Sequence, residues 1–200
     1  MKIKKFIQYF SEDFYINTYT IVDGEDIILI DPGKLDSELE EYISKYNLKY
    51  ILLTHGHFDH FGGILKLDVP IYVHDYDKRV LLTSEYNYAY MLNDTNDYSH
   101  KKIRILKEEI MFNEHVIKVV HTPGHTKGSV CLFLNNIVFS GDTLFSDTIG
   151  RTDLYSGDSK AIRKSLDILK TLIKSNYTVY PGHGKHALFS DIKKRNMFMK

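Results

Sequence analysis

Residues 54–63, THGHFDHFGG, constrain this chain more than any other stretch. They follow the apolar run Tyr50-Ile51-Leu52-Leu53 and crowd His55, His57, Asp59 and His60 into six positions ahead of two glycines. A short apolar run of this kind reads as a buried strand, and polar side chains at its end are costly to bury unless something partners them. The fold must therefore end a core strand at an edge where several imidazoles and carboxylates are useful together. Three other segments repeat the arrangement: KVVHTPGH runs to His125, NIVFSGD to Asp142 and TVYPGH to His183.

The remaining segments supply the scaffold. KIKKFIQYF, FYINTYTIV and DIILID are rich in aromatic and β-branched residues and are parted by turns such as Asp23-Gly24, so residues 3–31 read as strands. Residues 36–47 read as a helix, with Leu39, Tyr42, Ile43 and Tyr46 on one face and Asp36 or Ser37 as its cap. The strand KYILLT, a short helix after the two glycines, the strand PIYVH and a helical region over residues 75–107 follow. Strands return at EIMFNEHVIKVVHT, GSVCLFL and NIVFSGD. An amphipathic helix over 158–174 then turns Ile162, Leu166, Leu169 and Ile173 inward, and YTVYPG is the last strand. Strands with interspersed helices, in two halves, give a mixed α+β order.

A chain of 200 residues with 43% hydrophobic content can bury one substantial core, and no repeat or Pro/Gly/Ser-rich linker divides it, so a single domain over 1–200 is expected. Lys plus Arg (26) balances Asp plus Glu (26), which leaves no broad positive field for nucleic acid or an anionic membrane and disfavours a nuclease. No stretch has the apolar length of a signal peptide or a membrane span, so a soluble cytoplasmic protein is expected. The single cysteine, Cys131, excludes an internal disulfide and fits a reducing compartment.

If the four strand ends meet, they pool five histidines and two aspartates, more than one metal ion needs and about enough for two. In His55-Gly56-His57-Phe58-Asp59-His60 the small Gly56 permits a tight turn, so one part of the loop can serve one ion and the next pair its neighbour. Asp142 is short, anionic and bidentate, which suits a bridge between two cations.

THGHFDH, HTPGHTKGS, FSGDTLF and VYPGHG, in this order and at these separations, resemble the metallo-β-lactamase-fold hydrolases, most closely the short relatives of glyoxalase II. IDPG at 30–33, IGRTDL at 149–154 and the ending KKRNMFM are similar to that short group as well, so the resemblance covers nearly the whole chain. It implies a four-layer αββα sandwich of two mixed sheets flanked by helices. It also implies that His55, His57 and His125 hold one ion, that Asp59, His60 and His183 hold a second, and that Asp142 bridges them. Two divalent ions are implied, zinc foremost, with iron or manganese also open. Full-length glyoxalase II enzymes continue into a helical domain that helps hold glutathione. This chain stops seventeen residues after His183, so no such C-terminal domain is expected and the natural thiol is open.

The implied chemistry is hydrolysis of thioesters such as S-D-lactoylglutathione, with Asp59 and Asp142 in the catalytic machinery, a small-molecule thioester as substrate, no nucleic acid or membrane as partner, and the oligomeric state open. A thiolate is a weak base, so its departure needs no dedicated acid. The alternatives are a lactone or other ester hydrolase of the same fold, or a persulfide dioxygenase with one ferrous ion on His55, His125 and Asp142. A lactamase is disfavoured, since typical zinc lactamases use a cysteine or lack an aspartate at the position of Asp142. A scaffold role is disfavoured because all seven ligand positions are filled.

Other polar residues carry weaker expectations. Asp31 either orients a ligand imidazole or stabilises a turn. Arg151 and Asp153 read as an internal ion pair ahead of a substrate contact, and Cys131 as a buried apolar group. His121 reads as structural or as a support behind a metal ligand, and His74, His100, His115 and His186 as surface or hydrogen-bonding groups. In SEYNYAYMLNDTNDYSH, residues 84–100, Tyr86, Tyr88, Tyr90, Met91 and Tyr98 read as packing ahead of a substrate groove.

Overall fold

In a computed structural model of the chain, which describes residues 1–200, the first half builds a six-stranded mixed sheet in the order β1-β2-β3-β4-β5-β6. Its strands are β1 (Lys2–Tyr9), β2 (Tyr15–Asp23), β3 (Asp26–Ile30), β4 (Asn47–Leu52), β5 (Ile71–Val73) and β6 (Ile103–Ile105). β1, β2 and β3 pair antiparallel through short turns, whereas β3, β4, β5 and β6 run parallel. β2 and β3 are buried over nearly their whole length, which is why they are mostly apolar or β-branched, with a buried Asn17 in β2, and show no polar-out alternation. Parallel strands need crossovers, and the helix α1 (Ser37–Ile43) supplies the one from β3 to β4. Asp36 caps α1 by accepting the Leu39 N–H at 2.9 Å, and Leu39 and Ile43 enter the core with Leu29, Ile51, Phe61 and Val73.

The second half builds another six-stranded mixed sheet, in the order β12-β11-β10-β9-β8-β7. It comprises β7 (Glu109–Phe112), β8 (His115–His121), β9 (Val130–Leu134), β10 (Ile137–Gly141), β11 (Thr178–Pro181) and β12 (Ala187–Leu188). Only β10 and β11 pair in parallel. The crossover between them carries the longest helix, labelled α5 in chain order and spanning Ser159–Leu172. Asp158 caps it, and Leu166 and Leu169 pack with Val138, Val179 and Phe189. The chain divides into two compact units along these lines, Met1–Ile105 and Leu106–Lys200. No helix is long and apolar enough to cross a membrane.

The histidine motif opens the single turn α2 (Phe58–Phe61), and beyond it the region 75–107 departs from the expected helix. It holds α3 (Asp75–Leu81), the single turn α4 (Ser84–Asn87), a 3-10 turn at Ala89–Leu92 and then β6. Tyr88 and Asn93 adopt positive φ (66° and 57°), which ends helical propagation at each. Asp94 and Asp97 accept the N–H groups of Asn96 and Ser99, offering the backbone a local alternative to helix. A further helix at Phe189–Arg195, α6, has no counterpart in the sequence reading; Phe189 and Ile192 bury its two apolar positions.

Cys131 lies fully buried in β9, and burial pushes its thiol up to about 11. The native protein at pH 8 should therefore leave an aromatic disulfide reagent unconsumed, and one thiol per chain should react once denaturant is added; prompt reaction of the native protein would contradict this burial.

Candidate metal centre

Because β3 and β4 run parallel, their C-terminal ends reach the same sheet edge, where Asp31 and Thr54 meet. Asp31 turns sharply there, with φ 50° and its N–H on the Leu52 carbonyl at 3.1 Å. Its carboxylate, 2% exposed, accepts the Thr54 N–H at 2.8 Å and the Thr54 hydroxyl at 2.6 Å and lies 2.9 Å from His60 Nδ1. A carboxylate only accepts, so the His60 proton sits on Nδ1 and Nε2 presents its lone pair. Thr54 has spent its proton on Asp31, so its oxygen accepts from His55 Nδ1 at 3.2 Å and leaves the His55 Nε2 lone pair available to a cation.

The imidazoles gather tightly. The His55 ring lies 4.8 Å from that of His57, edge to face, and 4.0 Å from that of His60. Asp59 Oδ2 is 3.7 Å from His60 Nε2. Gly33 backs directly onto the Asp59 carbonyl oxygen, and a Cβ there would overlap it. His57 also meets the edge of Tyr88 at 5.4 Å, so one tyrosine of the 84–100 segment reaches the cluster. Tyr98 packs on Phe58 and Phe61, as expected, while Tyr90 and Met91 are 55% and 67% exposed.

In the second half, β8, β10 and β11 point the same way, because β9 is antiparallel to both of its neighbours and β10 is parallel to β11. Their C-terminal ends lead to His125, Asp142 and His183. The His125 loop is gripped by α5 and its capping residue. Ser165 Oγ donates to the Pro123 carbonyl at 2.8 Å, and the Asp158 N–H donates to the Gly124 carbonyl at 2.8 Å. His125 Nδ1 donates to the Arg151 carbonyl at 2.8 Å, which again leaves Nε2 with the lone pair. That Nε2 stands 3.6 Å from Asp142 Oδ2, and His183 Nε2 stands 3.4 Å from the same oxygen. Both spacings exceed a charge-assisted hydrogen bond. Such a set of imidazole nitrogens and carboxylate oxygens, aimed together but held apart, fits the donors of a divalent cation.

The weaker expectations resolve on particular contacts. Asp31 orients His60, and Arg151 pairs with Asp153 through two bonds of 2.8 and 2.7 Å. His121 Nε2 lies 2.8 Å from the Lys127 carbonyl, His74 accepts the Tyr76 N–H at the start of α3, and His186 stacks on Tyr180. Sequence reasoning passed over Thr54, whose hydroxyl links Asp31 to His55. Its only signal was its place directly before the histidine motif.

Two outcomes test this geometry. Gly150 lies against the Asp142 carbonyl oxygen and 3.1 Å from His125 Nδ1 as seen from an added Cβ. Gly150→Ala should therefore weaken divalent-ion binding by roughly 10–100-fold in a metal-competition titration; unchanged affinity would contradict the close approach. The Arg151 guanidinium holds the Asp153 carboxyl at about 2, well below the usual carboxylate value of 3.8. The pair's favourable contribution is thus present at neutral pH and is lost as pH falls through about 2. A carbon-detected NMR titration should show that midpoint, and Arg151→Ala should move it up toward 3.8.

The family model for the metallo-beta-lactamase superfamily matches residues 12–183. A probable metallo-hydrolase from Streptococcus pyogenes is 32% identical over 216 residues, covering 99% of this chain and 90% of that protein. Among solved structures, the BLEG-1 B3 metallo-beta-lactamase superposes with a TM-score of 0.86 at 25% identity over 100% of both chains. TTHA1623 in a di-iron-bound form superposes with a TM-score of 0.81 at 32% identity, covering 94% of this chain and 97% of that one. With two mixed sheets, flanking helices and this histidine-aspartate chemistry, the chain belongs to the metallo-β-lactamase superfamily and is a metallo-hydrolase of α+β fold.

Proposed function

We propose that the protein is a binuclear metal-dependent hydrolase of thioesters, in the manner of glyoxalase II. The observation that carries this reading is Asp142 Oδ2, which faces both His125 Nε2 and His183 Nε2 at 3.6 and 3.4 Å. One carboxylate oxygen set between two imidazoles is the arrangement a bridging ligand requires. In this reading His55, His57 and His125 hold one ion, Asp59, His60 and His183 hold the other, and Asp142 joins them. When bound, two divalent ions supply an ionised water near neutral pH and positive charge for a carbonyl oxygen.

The chain's own groups do the rest. The contacts on Nδ1 of His55, His60 and His125 fix these rings in the tautomer that offers Nε2. Asp59 has two carboxylate oxygens, one to ligate and one to accept a hydrogen bond from the attacking water and so orient it. Cys131 is buried in β9 with a raised thiol pKa and is no rival nucleophile. Water therefore attacks the acyl carbon, the C–S bond breaks, and carboxylate and thiolate leave as the water's two protons pass to solvent. The thiolate departs without a proton donor, which suits a site built of ligands alone. The likeness to a B3 metallo-beta-lactamase supports a second reading, β-lactam hydrolysis at the same centre.

The test is hydrolysis of S-D-lactoylglutathione by the purified protein, followed by loss of thioester absorbance, beside a β-lactam chromophore and the metal content of the same sample. Turnover of the thioester with about two ions per chain is the expected result, and Asp59→Asn and Asp142→Asn should each lower metal affinity and activity by about 10–100-fold or more. Full activity in both variants would sink the binuclear assignment. Turnover of the β-lactam alone would replace the thioester with the second reading, and oxygen uptake with a persulfide by a one-iron protein would replace both.

A further inference from the structure

Asp77 is a carboxylate with 0% exposure on α3, outside every motif described above. Its Oδ2 accepts the Gly56 N–H at 2.9 Å. Gly56 sits between His55 and His57, and its Cα presses on α3 so closely that a Cβ would stand 2.9 Å from the Asp77 carbonyl and 3.1 Å from the Leu81 nitrogen. The loop between those histidines is therefore docked on the helix by backbone contact and fastened by a charge-assisted hydrogen bond. His60 takes its orientation from a different carboxylate, Asp31, on β3's end. The two parts of the motif are thus held by separate anchors.

We propose that Asp77 is a positioning residue that sets the spacing of His55 and His57, and through it the affinity of the one ion those two histidines share. The inference rests on the binuclear reading above. The Gly56 amide lies in the chain between the two imidazoles, whose ring centroids are 4.8 Å apart, so its position bears on how both rings converge. Asp59 and His60 lie beyond this fastening and should keep their geometry when it is lost. The prediction is selective damage: one binding step weakens and the other stands.

The experiment is chelator competition on the purified full-length chain with zinc, resolving two dissociation constants, together with the visible spectrum of the cobalt-substituted protein and a thermal melt. Asp77→Ala should weaken one step by about 10–100-fold, hold the other within twofold, and perturb the cobalt bands of one site only. Asp77→Asn keeps an acceptor oxygen in place and should restore the affected step to within about threefold. If Asp77→Ala does not fold, Asp77→Glu decides, because it keeps the charge but misplaces the oxygen, and the same selective loss is expected. Equal loss at both steps, no loss at either, or failure of Asp77→Asn to restore the affected step would overturn the proposal. A wild-type chain that binds fewer than two ions would instead defeat the binuclear reading, which keeps the two failures distinct.

Discussion

The first half of the molecule depends on the buried carboxylate of Asp31. It ends β3 in a left-handed turn, accepts two donors from Thr54 at the end of β4, and contacts His60 beyond. Such a group is expensive to bury alone, yet here three donors converge on two oxygens. The bonds that satisfy it also join neighbouring parallel strands and orient two imidazoles. Structural and chemical demands thus fall on the same atoms, and the left-handed turn, unfavourable for a residue with a Cβ, is held by contacts on both sides of the peptide.

Strand direction explains why ligands so far apart in the chain share an edge within each half. In the first sheet the parallel run of β3, β4 and β5 brings Asp31, the histidine motif and the start of α3 to one end. In the second, an antiparallel strand between β8 and β10, then a parallel step to β11, does the same for His125, Asp142 and His183. Sites at the carboxyl ends of sheet strands follow from this topology, because side chains there escape the ladder's packing while their backbone remains fixed by it.

The strands and the long helix were readable from the sequence because their patterns are strong. β2 and β3 are predominantly apolar or β-branched, and α5 shows Ile162, Leu166 and Leu169 on one face behind an aspartate cap. Ligand candidates were readable because histidines at three strand ends and an aspartate at a fourth have no ordinary packing purpose. What escaped were choices made by tertiary contact. Within residues 75–107 the opening α3 is helical, but Tyr88 and Asn93 take positive φ and Ile103–Ile105 find a pairing edge on β5. Thr54 and Asp77 were invisible for a related reason: threonine and aspartate are common, and only the fold brings them against His55 and Gly56.

The two halves solve one problem in the same way. Each places a glycine against the carbonyl oxygen of a candidate ligand aspartate, Gly33 behind Asp59 and Gly150 behind Asp142. Each also gives a histidine Nδ1 a dedicated acceptor, Asp31 for His60 and the Arg151 carbonyl for His125. Backbone-to-backbone contact is stiffer than any arrangement of long side chains, since it leaves no rotamer to adjust. A carboxylate fixed through its own peptide unit and an imidazole fixed through its remote nitrogen keep their aim without help from a cation. Ligands aimed in advance have less conformational freedom to lose when an ion arrives, so more of the coordination energy remains as affinity. The spacing of 3.4–3.6 Å around Asp142 Oδ2 is then a property of the folded chain, set by the loops that α5 and Gly150 hold in place.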